Sequence, residues 1–133
     1  MIKGSCLCGL VSYQYDGDIN EMSICHCSQC RKAQGSAFAT NSPLDASKLI
    51  FTGTEHIKEF ASNADKVRAF CSNCGSPLYS ALKSLPGTKR LRLGTVDTDF
   101  ICNNKYHIYT DSIATWDAIT DTHVQHKNKN PRS

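Results

Sequence analysis

The chain has 133 residues, of which 40% are hydrophobic and 20% are charged, with eight cysteines and a formal net charge of +3. These values are typical of one globular domain and exclude a disordered chain. No stretch approaches the roughly 18 apolar residues of a membrane span, and no signal peptide precedes Cys6, so we expect a cytoplasmic protein without a membrane partner, whose thiols stay reduced.

Short stretches that alternate apolar and polar residues, enriched in β-branched and aromatic side chains, predict β-strands. In chain order these are residues 10–15, 49–51, 57–60, 67–70, 78–81, 91–96 and 107–109. A short helix is predicted at residues 28–34 and a helical turn at residues 44–48, where Pro43 and Asp45 suit a helix start. The sequence therefore predicts a mostly β, single-domain fold of antiparallel sheets with few short helices over residues 1–126, followed by a polar tail, residues 127–133, with basic side chains at Lys127, Lys129 and Arg132.

Seven of the eight cysteines fall into three short clusters. These are CxCG at Cys6 and Cys8, CxCxxC at Cys25, Cys27 and Cys30, and CxxCG at Cys71 and Cys74. Thiolates so closely spaced can share one zinc ion at about 2.3 Å each, whereas a disulfide across so short a loop is strained. The spacing therefore predicts metal binding.

The first and third clusters together supply four thiolates, enough to close a tetrahedral structural zinc site that staples the N-terminal strand to the middle of the chain. Gly9 and Gly75 follow these two pairs, and glycine permits the positive φ that can turn amide groups toward sulfur. One alternative is a pair of unrelated free-thiol turns. Another is a redox role for Cys71 and Cys74, which lacks the βαβ context such a motif needs.

The middle cluster, Cys25, Cys27 and Cys30, holds an odd number of thiols and cannot close a four-thiolate site unaided. Three protein ligands and one vacant position are typical of a catalytic zinc. Three thiolates leave the complex with a charge of about −1, which favours a soft external thiol over an activated water. We therefore predict two zinc sites, one structural and one open.

Side chains near the open site have competing interpretations. Arg31 and Lys32 follow the cluster directly and are candidates for binding a substrate carboxylate, although such residues are commonly surface charges. His26 or Cys102 could instead supply a fourth ligand. Cys102, in an apolar stretch, is otherwise expected to be a small buried residue.

With the cysteines in place, the chain resembles the glutathione-dependent formaldehyde-activating enzyme family, whose members include centromere protein V. The resemblance rests on four motifs: Gly4-Ser5-Cys6-Leu7-Cys8-Gly9; Cys25-His26-Cys27-Ser28-Gln29-Cys30-Arg31-Lys32 followed by Gly35-Ser36; Arg68-Ala69-Phe70-Cys71-Ser72-Asn73-Cys74-Gly75; and His107-Ile108-Tyr109 with Asp111-Ser112 and Trp116.

This resemblance implies the antiparallel β-tent fold, with one four-cysteine structural zinc and one three-cysteine catalytic zinc. It also implies carbon–sulfur lyase chemistry, in which glutathione adds to formaldehyde to give S-hydroxymethylglutathione. By position, His107 is then a candidate to shuttle the hydroxyl proton, against the alternative of a hydrogen-bonded histidine within a strand. Trp116 is expected in the core, against the alternative of a platform for the substrate.

Two departures from the family pattern concern the substrate. Asn103-Asn104-Lys105-Tyr106 stand before His107 where a proline is common, and Ile113 follows Ser112 where a basic residue is common.

We expect a zinc-dependent enzyme that uses glutathione or a related small thiol, while the sequence predicts no particular oligomeric state. The alternative is a non-catalytic zinc protein that binds or carries a thiol or contacts a macromolecular partner. Nucleic acid is not expected, because bound zinc and thiolates bring the charge near neutral and no base-stacking pattern of aromatic and basic residues occurs.

Overall fold

The structure, a computed structural model, describes residues 1–131; Arg132 of the predicted basic tail and Ser133 lie outside the described residues. Within this range the chain forms strands β1 (Ile2–Ser5), β2 (Ser12–Tyr15), β3 (Glu21–Cys25), β4 (Ala39–Asp45), β5 (Leu49–Thr52), β6 (Ile57–Ala61), β7 (Lys66–Cys71), β8 (Pro77–Leu82), β9 (Thr88–Arg92), β10 (Asn104–Ile108) and β11 (Val124–His126), with helix α1 at Ser28–Gln34. Single 3₁₀ turns lie at Ala46–Lys48, Thr54–His56, Leu93–Thr95 and Thr110–Ser112. The prediction of a mostly β fold is confirmed.

The first of two compact units contains Met1–Ile19 and Ser42–Ile101. Strands β1, β2 and β5 form an antiparallel sheet in which Ile2 pairs with Tyr15, while β6, β7, β8 and β9 form an antiparallel meander. The buried residues of one core cluster in this unit are Cys6, Val11, Ala69, Cys71, Leu78 and Tyr79. Cysteines of two sequence clusters therefore lie inside this apolar core.

The second unit contains Asn20–Asn41 and the chain from Cys102 onward. Strand β3 pairs antiparallel with the first residues of β4, but β10 runs parallel to both β3 and β11. The prediction of antiparallel pairing therefore holds for the β1–β2–β5 sheet, the β6–β9 meander and the β3–β4 pair, but not for β10. The long chain segment between β3 and β10 makes a parallel return possible. The buried core residues here are Cys25, Cys30, Ala39, Tyr106 and Ile108.

The two units are interleaved in sequence, since each is built from two separate stretches of the chain. No single cut in the chain separates them, as expected of the predicted single domain. The boundary after residue 126 stays a prediction, although the Lys127 carbonyl accepts a hydrogen bond of 3.0 Å from the Asp111 amide. No helix between residues 1 and 131 combines the length and apolar character needed to cross a membrane.

Helix α1 begins and ends where the sequence predicts, but other elements differ. The strand predicted at residues 91–96 ends at Arg92, because a 3₁₀ turn follows, and the helical turn predicted at 44–48 begins at Ala46, where the Asp45 carboxylate caps the Ser47 amide at 2.9 Å. Strands β1, β3, β4 and β11 were not predicted; β4 buries the polar Asn41 and Ser42, which hides its pattern. The expectation that Trp116 lies in the core is wrong, since it is 71% exposed.

Leu78→Ala tests how far the core of the first unit stabilises the fold. Leu78 is fully buried in the cluster that contains Cys6 and Cys71, so its truncation leaves a cavity and should lower the free energy of unfolding by about 2–5 kcal/mol. Urea denaturation of the metal-loaded protein measures this. Ile101→Ala is the control, because Ile101 is 86% exposed and should change stability by less than about 0.5 kcal/mol. Equal losses in both variants would contradict this packing.

Candidate metal centres

Two sets of thiols converge in the structure, and they are the sets that the cysteine spacing groups together. One set is Cys6, Cys8, Cys71 and Cys74, and the other is Cys25, Cys27 and Cys30. In each set the sulfur atoms lie within 4.8 Å of one another, and all eight cysteines are free thiols. Each set belongs to one compact unit, so either can hold a metal within its own part of the fold.

The distances in the four-thiol set match a zinc site. The sulfur of Cys8 lies 3.6 Å from that of Cys6 and 3.7 Å from that of Cys71. A tetrahedral ion with bonds of about 2.3 Å spaces its ligands about 3.8 Å apart, whereas a disulfide needs about 2.05 Å. These four thiols therefore fit a closed tetrahedral site.

Two glycine turns shape this set. Gly9 and Gly75 have φ of 80° and 78°, in the left-handed region, and their amides donate to the carbonyls of Cys6 at 3.1 Å and Cys71 at 2.8 Å. The Val11 amide lies 3.3 Å from the Cys6 sulfur. The turns therefore fold each pair of thiols back on itself and bring an amide donor to one of them, as the Cys-Gly sequences predict.

Ser76, which sequence reasoning missed, links the two turns. Its hydroxyl accepts from the Leu7 amide at 2.9 Å and lies 3.3 Å from the Cys74 sulfur. The Ser76 hydroxyl, helped by the Ser76 amide, lowers the pKa of Cys74 to about 5, and the Asn73 side chain lowers the pKa of Cys8. Thiolate is the form that binds metal, so these donors prepare the set for a cation.

The three-thiol set is built where β3 gives way to α1. Cys25 ends the strand, Cys27 caps the helix by accepting from the Cys30 amide at 3.3 Å, and Cys30 lies in the first turn. Cys25 and Cys30 are buried, and Cys27 is half-buried. Hydrogen bonds with the Cys27 and Cys30 thiols, together with burial, raise the pKa of Cys25. The Cys25 thiol therefore resists ionisation unless a cation compensates the charge, and three converging sulfurs form a donor set that fits a divalent soft metal.

Within residues 1–131, no fourth histidine, cysteine or carboxylate atom joins these three sulfurs. The His26 ring hydrogen bonds His107 through its Nε2 at 2.8 Å, and the Cys102 thiol contacts the Asn104 carbonyl at 3.7 Å. Neither alternative fourth ligand is therefore brought to the set. These three sulfurs alone would leave one position of a tetrahedral ion without a protein ligand.

His107 lies away from the three thiols. In the parallel pairing of β10 with β3, Ile108 is opposite Cys25 and belongs to the same core cluster, so the alternation of side chains directs His107 to the other face of the sheet. There it is 3% exposed, and both ring nitrogens are hydrogen-bonded, Nδ1 to His26 and Nε2 to the Asp121 carboxylate at 3.0 Å. The structure does not bring it to the cluster.

The hydrogen bonds that link the side chains of Asp121, His107 and His26 have a definite donor and acceptor at each step. A hydrogen bond with His107 lowers the pKa of Asp121, so the carboxylate accepts from Nε2–H of His107. Burial lowers the pKa of His26, which favours a neutral ring that donates from Nε2 to Nδ1 of His107. Asp121 therefore orients the His107 ring, and His107 in turn holds the ring of His26, which lies between Cys25 and Cys27 in the sequence. Sequence reasoning missed Asp121, since no local motif announces it.

The two cations after the cluster behave differently. Arg31 donates from Nε to the His26 carbonyl at 3.4 Å and from Nη2 to the Ser112 carbonyl at 3.3 Å, which ties α1 to the 3₁₀ turn Thr110–Ser112. Lys32 is exposed, and its ammonium has no ion-pair partner in the described part of the chain. Of the two, Lys32 is the one available to an external carboxylate.

Tyr109 is the one non-glycine residue of residues 1–131 with positive φ, at φ 55° and ψ 43°. This left-handed conformation costs an ordinary residue about 1–2 kcal/mol. The ring packs against the core cluster that contains Cys25 and Cys30. The sequence offers no sign of this conformation, because aromatic residues rarely adopt it.

Metal counting separates the two sets. Cys74→Ser and Cys30→Ser should each lower the zinc content of the purified protein by one ion. Only Cys74→Ser should also greatly reduce stability, because it removes a ligand from the set that joins two distant segments of the chain, residues 6–8 and 71–74. Native mass spectrometry and thermal unfolding measure both effects. Cys102→Ser, the control outside both sets, should keep the full metal content; loss of an ion there would contradict the assignment.

Asp121→Asn tests the hydrogen bond between Asp121 and His107 by its effect on the pH dependence of stability. The folded-state pKa of Asp121 is depressed, so its contribution to stability is present above the unfolded value near 3.9 and is lost as pH falls through the lower folded value. The variant should be less stable than wild type at pH 6, and the difference should shrink below about pH 4. Urea titrations at several pH values measure it, with the exposed Asp18→Asn as control. A difference independent of pH would contradict the ionised hydrogen bond.

Two curated proteins are similar to this chain in sequence. A protein of Halomonas elongata, provisionally named as a glutathione-dependent formaldehyde-activating enzyme, is 35% identical over 86 residues, covering 59% of this chain and 55% of that protein. A Schizosaccharomyces pombe protein named as an uncharacterized lyase is 33% identical over 79 residues, covering 59% and 56%. The chain thus spans about half the length of these curated relatives.

A crystal structure of a Rhodobacter sphaeroides protein has the same fold, with a TM-score of 0.61 and 22% identity over 74% of this chain and 90% of that one. Residues 1–112, which carry both sets of thiols, match the family described as glutathione-dependent formaldehyde-activating enzyme. The chain therefore belongs to the glutathione-dependent formaldehyde-activating enzyme family.

Proposed function

We propose that this chain forms and cleaves the carbon–sulfur bond between a small thiol and formaldehyde, with glutathione as the thiol. The observation that carries the proposal is the three-thiol set, to which no fourth protein ligand is added within residues 1–131. Family membership supports the same chemistry. The alternative of two metal sites closed by protein is not favoured, because Cys102 contacts the Asn104 carbonyl instead.

Cys25, Cys27 and Cys30 would hold the open zinc ion. Such an ion stabilises the thiolate form of an external thiol that takes its vacant position, and so makes that thiol a nucleophile at neutral pH. In the reaction the thiol sulfur bonds to the carbonyl carbon, and the thiol proton passes to the carbonyl oxygen to give a hydroxymethyl thioether. The reverse reaction returns the thiol and formaldehyde, so no other reactant is consumed.

The protein contributes position and charge. A strand end and the first turn of α1 hold the three thiols on regular elements, which fixes their mutual geometry more firmly than a loop would. We assign Lys32 to a carboxylate of the thiol substrate, since its ammonium is exposed. Arg31, whose guanidinium already donates to two carbonyls, would instead keep α1 beside the turn that follows β10.

His107 has a different part in this proposal from the proton shuttle that the family resemblance implies. Its ring lies on the face of the sheet opposite Cys25 and is hydrogen-bonded on both sides. We therefore assign His107 a positioning role: it holds the ring of His26, and so fixes the backbone between Cys25 and Cys27. Proton transfer to the carbonyl oxygen would then occur through solvent or another residue.

The proposal is tested with ¹³C-labelled formaldehyde and glutathione. Saturation-transfer NMR near neutral pH measures the rate at which label enters and leaves the hydroxymethyl adduct. Zinc-loaded wild type should accelerate this exchange, and Cys30→Ala should give only the uncatalysed rate, because the open site is lost. Cys102→Ala, which removes a thiol outside both sets, should match wild type. No acceleration by wild type, or equal acceleration by Cys30→Ala, would contradict the proposal.

A further inference from the structure

Tyr109 packs against the core cluster that contains two cysteines of the three-thiol set, and its hydroxyl is a polar group that the protein leaves unused. Its ring is half-buried and packs against the cluster of Cys25 and Cys30, yet no hydrogen bond to this hydroxyl occurs among residues 1–131. Tyr106 packs in the same cluster, but its hydroxyl donates to the Glu21 carboxylate at 2.8 Å. Of these two phenols, Tyr109 is therefore the one available to a ligand.

The backbone of Tyr109 explains how its ring reaches this cluster. Along β10, Tyr106 and Ile108 face the thiols and His107 faces away. A Tyr109 in extended conformation would continue the alternation and join His107 on the far face. The left-handed φ of 55° breaks the alternation, so the ring packs on the same cluster as Ile108. Strain of this kind persists where the surroundings hold it, and it concentrates at functional sites.

Neighbouring hydrogen bonds hold this strained turn in place. The Ser112 amide donates to the Tyr109 carbonyl at 3.0 Å, and the Asp111 amide donates to the Lys127 carbonyl at 3.0 Å. The Arg31 guanidinium donates to the Ser112 carbonyl from α1, the helix that also carries Cys30. The phenol is thus oriented relative to the thiols by the folded chain itself, before any ligand binds.

We propose that the Tyr109 hydroxyl donates a hydrogen bond to the oxygen atom of the thiol adduct held at the three-thiol set. This makes Tyr109 a substrate-binding residue that distinguishes an adduct bearing a hydroxyl near its sulfur from one bearing only carbon there. The inference rests on the proposed function, because it needs an external thiol at this set. A phenol can supply such a hydrogen bond, whereas His107 lies on the opposite face of the sheet.

The test uses cobalt-substituted protein and two thiols of equal size, 2-mercaptoethanol and 1-propanethiol. Changes in the sulfur-to-cobalt absorption give a dissociation constant for each thiol. In wild type, the ratio of the propanethiol constant to the mercaptoethanol constant should be roughly 2- to 12-fold larger than in Tyr109→Phe, the range expected for one hydrogen bond. Tyr106→Phe is the matched control, since it removes a phenol of the same cluster whose hydroxyl is already bonded, and its ratio should equal that of wild type.

Each outcome has a definite meaning. If both thiols bind and Tyr109→Phe leaves the ratio unchanged, this inference is overturned while the proposed function stands. If neither thiol alters the absorption of wild type, the proposed function fails and the inference fails with it. Tyr109→Asn is a second variant, because asparagine tolerates the left-handed backbone and lacks the phenol. Loss of cobalt in both Tyr109 variants would assign the ring a purely structural role and would also overturn the inference.

Discussion

The close approach of sulfur atoms is the constraint on which the rest of this structure depends. Two thiolates about 4 Å apart repel by about 4 kcal/mol at an effective dielectric constant of 20, and each set contains several such pairs. The fold can keep these distances only when protons or a cation offset the charge. Cys6 and Cys71 lie in one core cluster, and Cys25 and Cys30 lie in the other. The protonation or metal binding of the sulfurs therefore affects the packing of both core clusters.

How much of this the sequence could predict depends on how local the signal is. Cysteine spacing and the glycine after each outer pair depend on neighbouring residues, so both sets of thiols and the turns at Gly9 and Gly75 were predictable. Strand β2 also showed its alternation, because Tyr13 and Tyr15 are buried and Gln14 between them is exposed. Strand β4 did not, because Asn41 and Ser42 are buried polar residues, and such burial depends on partners that no local pattern contains.

The orientations of the His107 and Tyr109 side chains could not be predicted, because they depend on the pairing of segments about 80 residues apart. Whether His107 faces the thiols follows from the register that sets Ile108 opposite Cys25; a shift of one residue would exchange the two faces. The positive φ of Tyr109 then departs from that alternation locally. His107, to which the family resemblance gives a role in proton transfer, thus faces away from the thiols. Tyr109, two residues later, packs against the cluster that contains Cys25 and Cys30.

The two sets differ in the groups that surround the sulfurs, and this difference is consistent with the proposal of one structural and one open metal site. In the four-thiol set, Ser76 and Asn73 donate to Cys74 and Cys8 and lower their pKa values, so the protein stabilises two of the four thiolates. The pKa of Cys71 is raised to about 11, because the hydrogen bond from the Cys74 amide is outweighed by burial and by the neighbouring thiols. In the three-thiol set, the main interactions of Cys25 are with neighbouring thiols, and they raise its pKa. Under the proposed function, a metal ion and its external ligand would balance the charge of these thiolates. Where the protein does not compensate the charge of the thiolates, the free energy of the site changes when a ligand binds. A binding or catalytic centre requires such a dependence on its ligand.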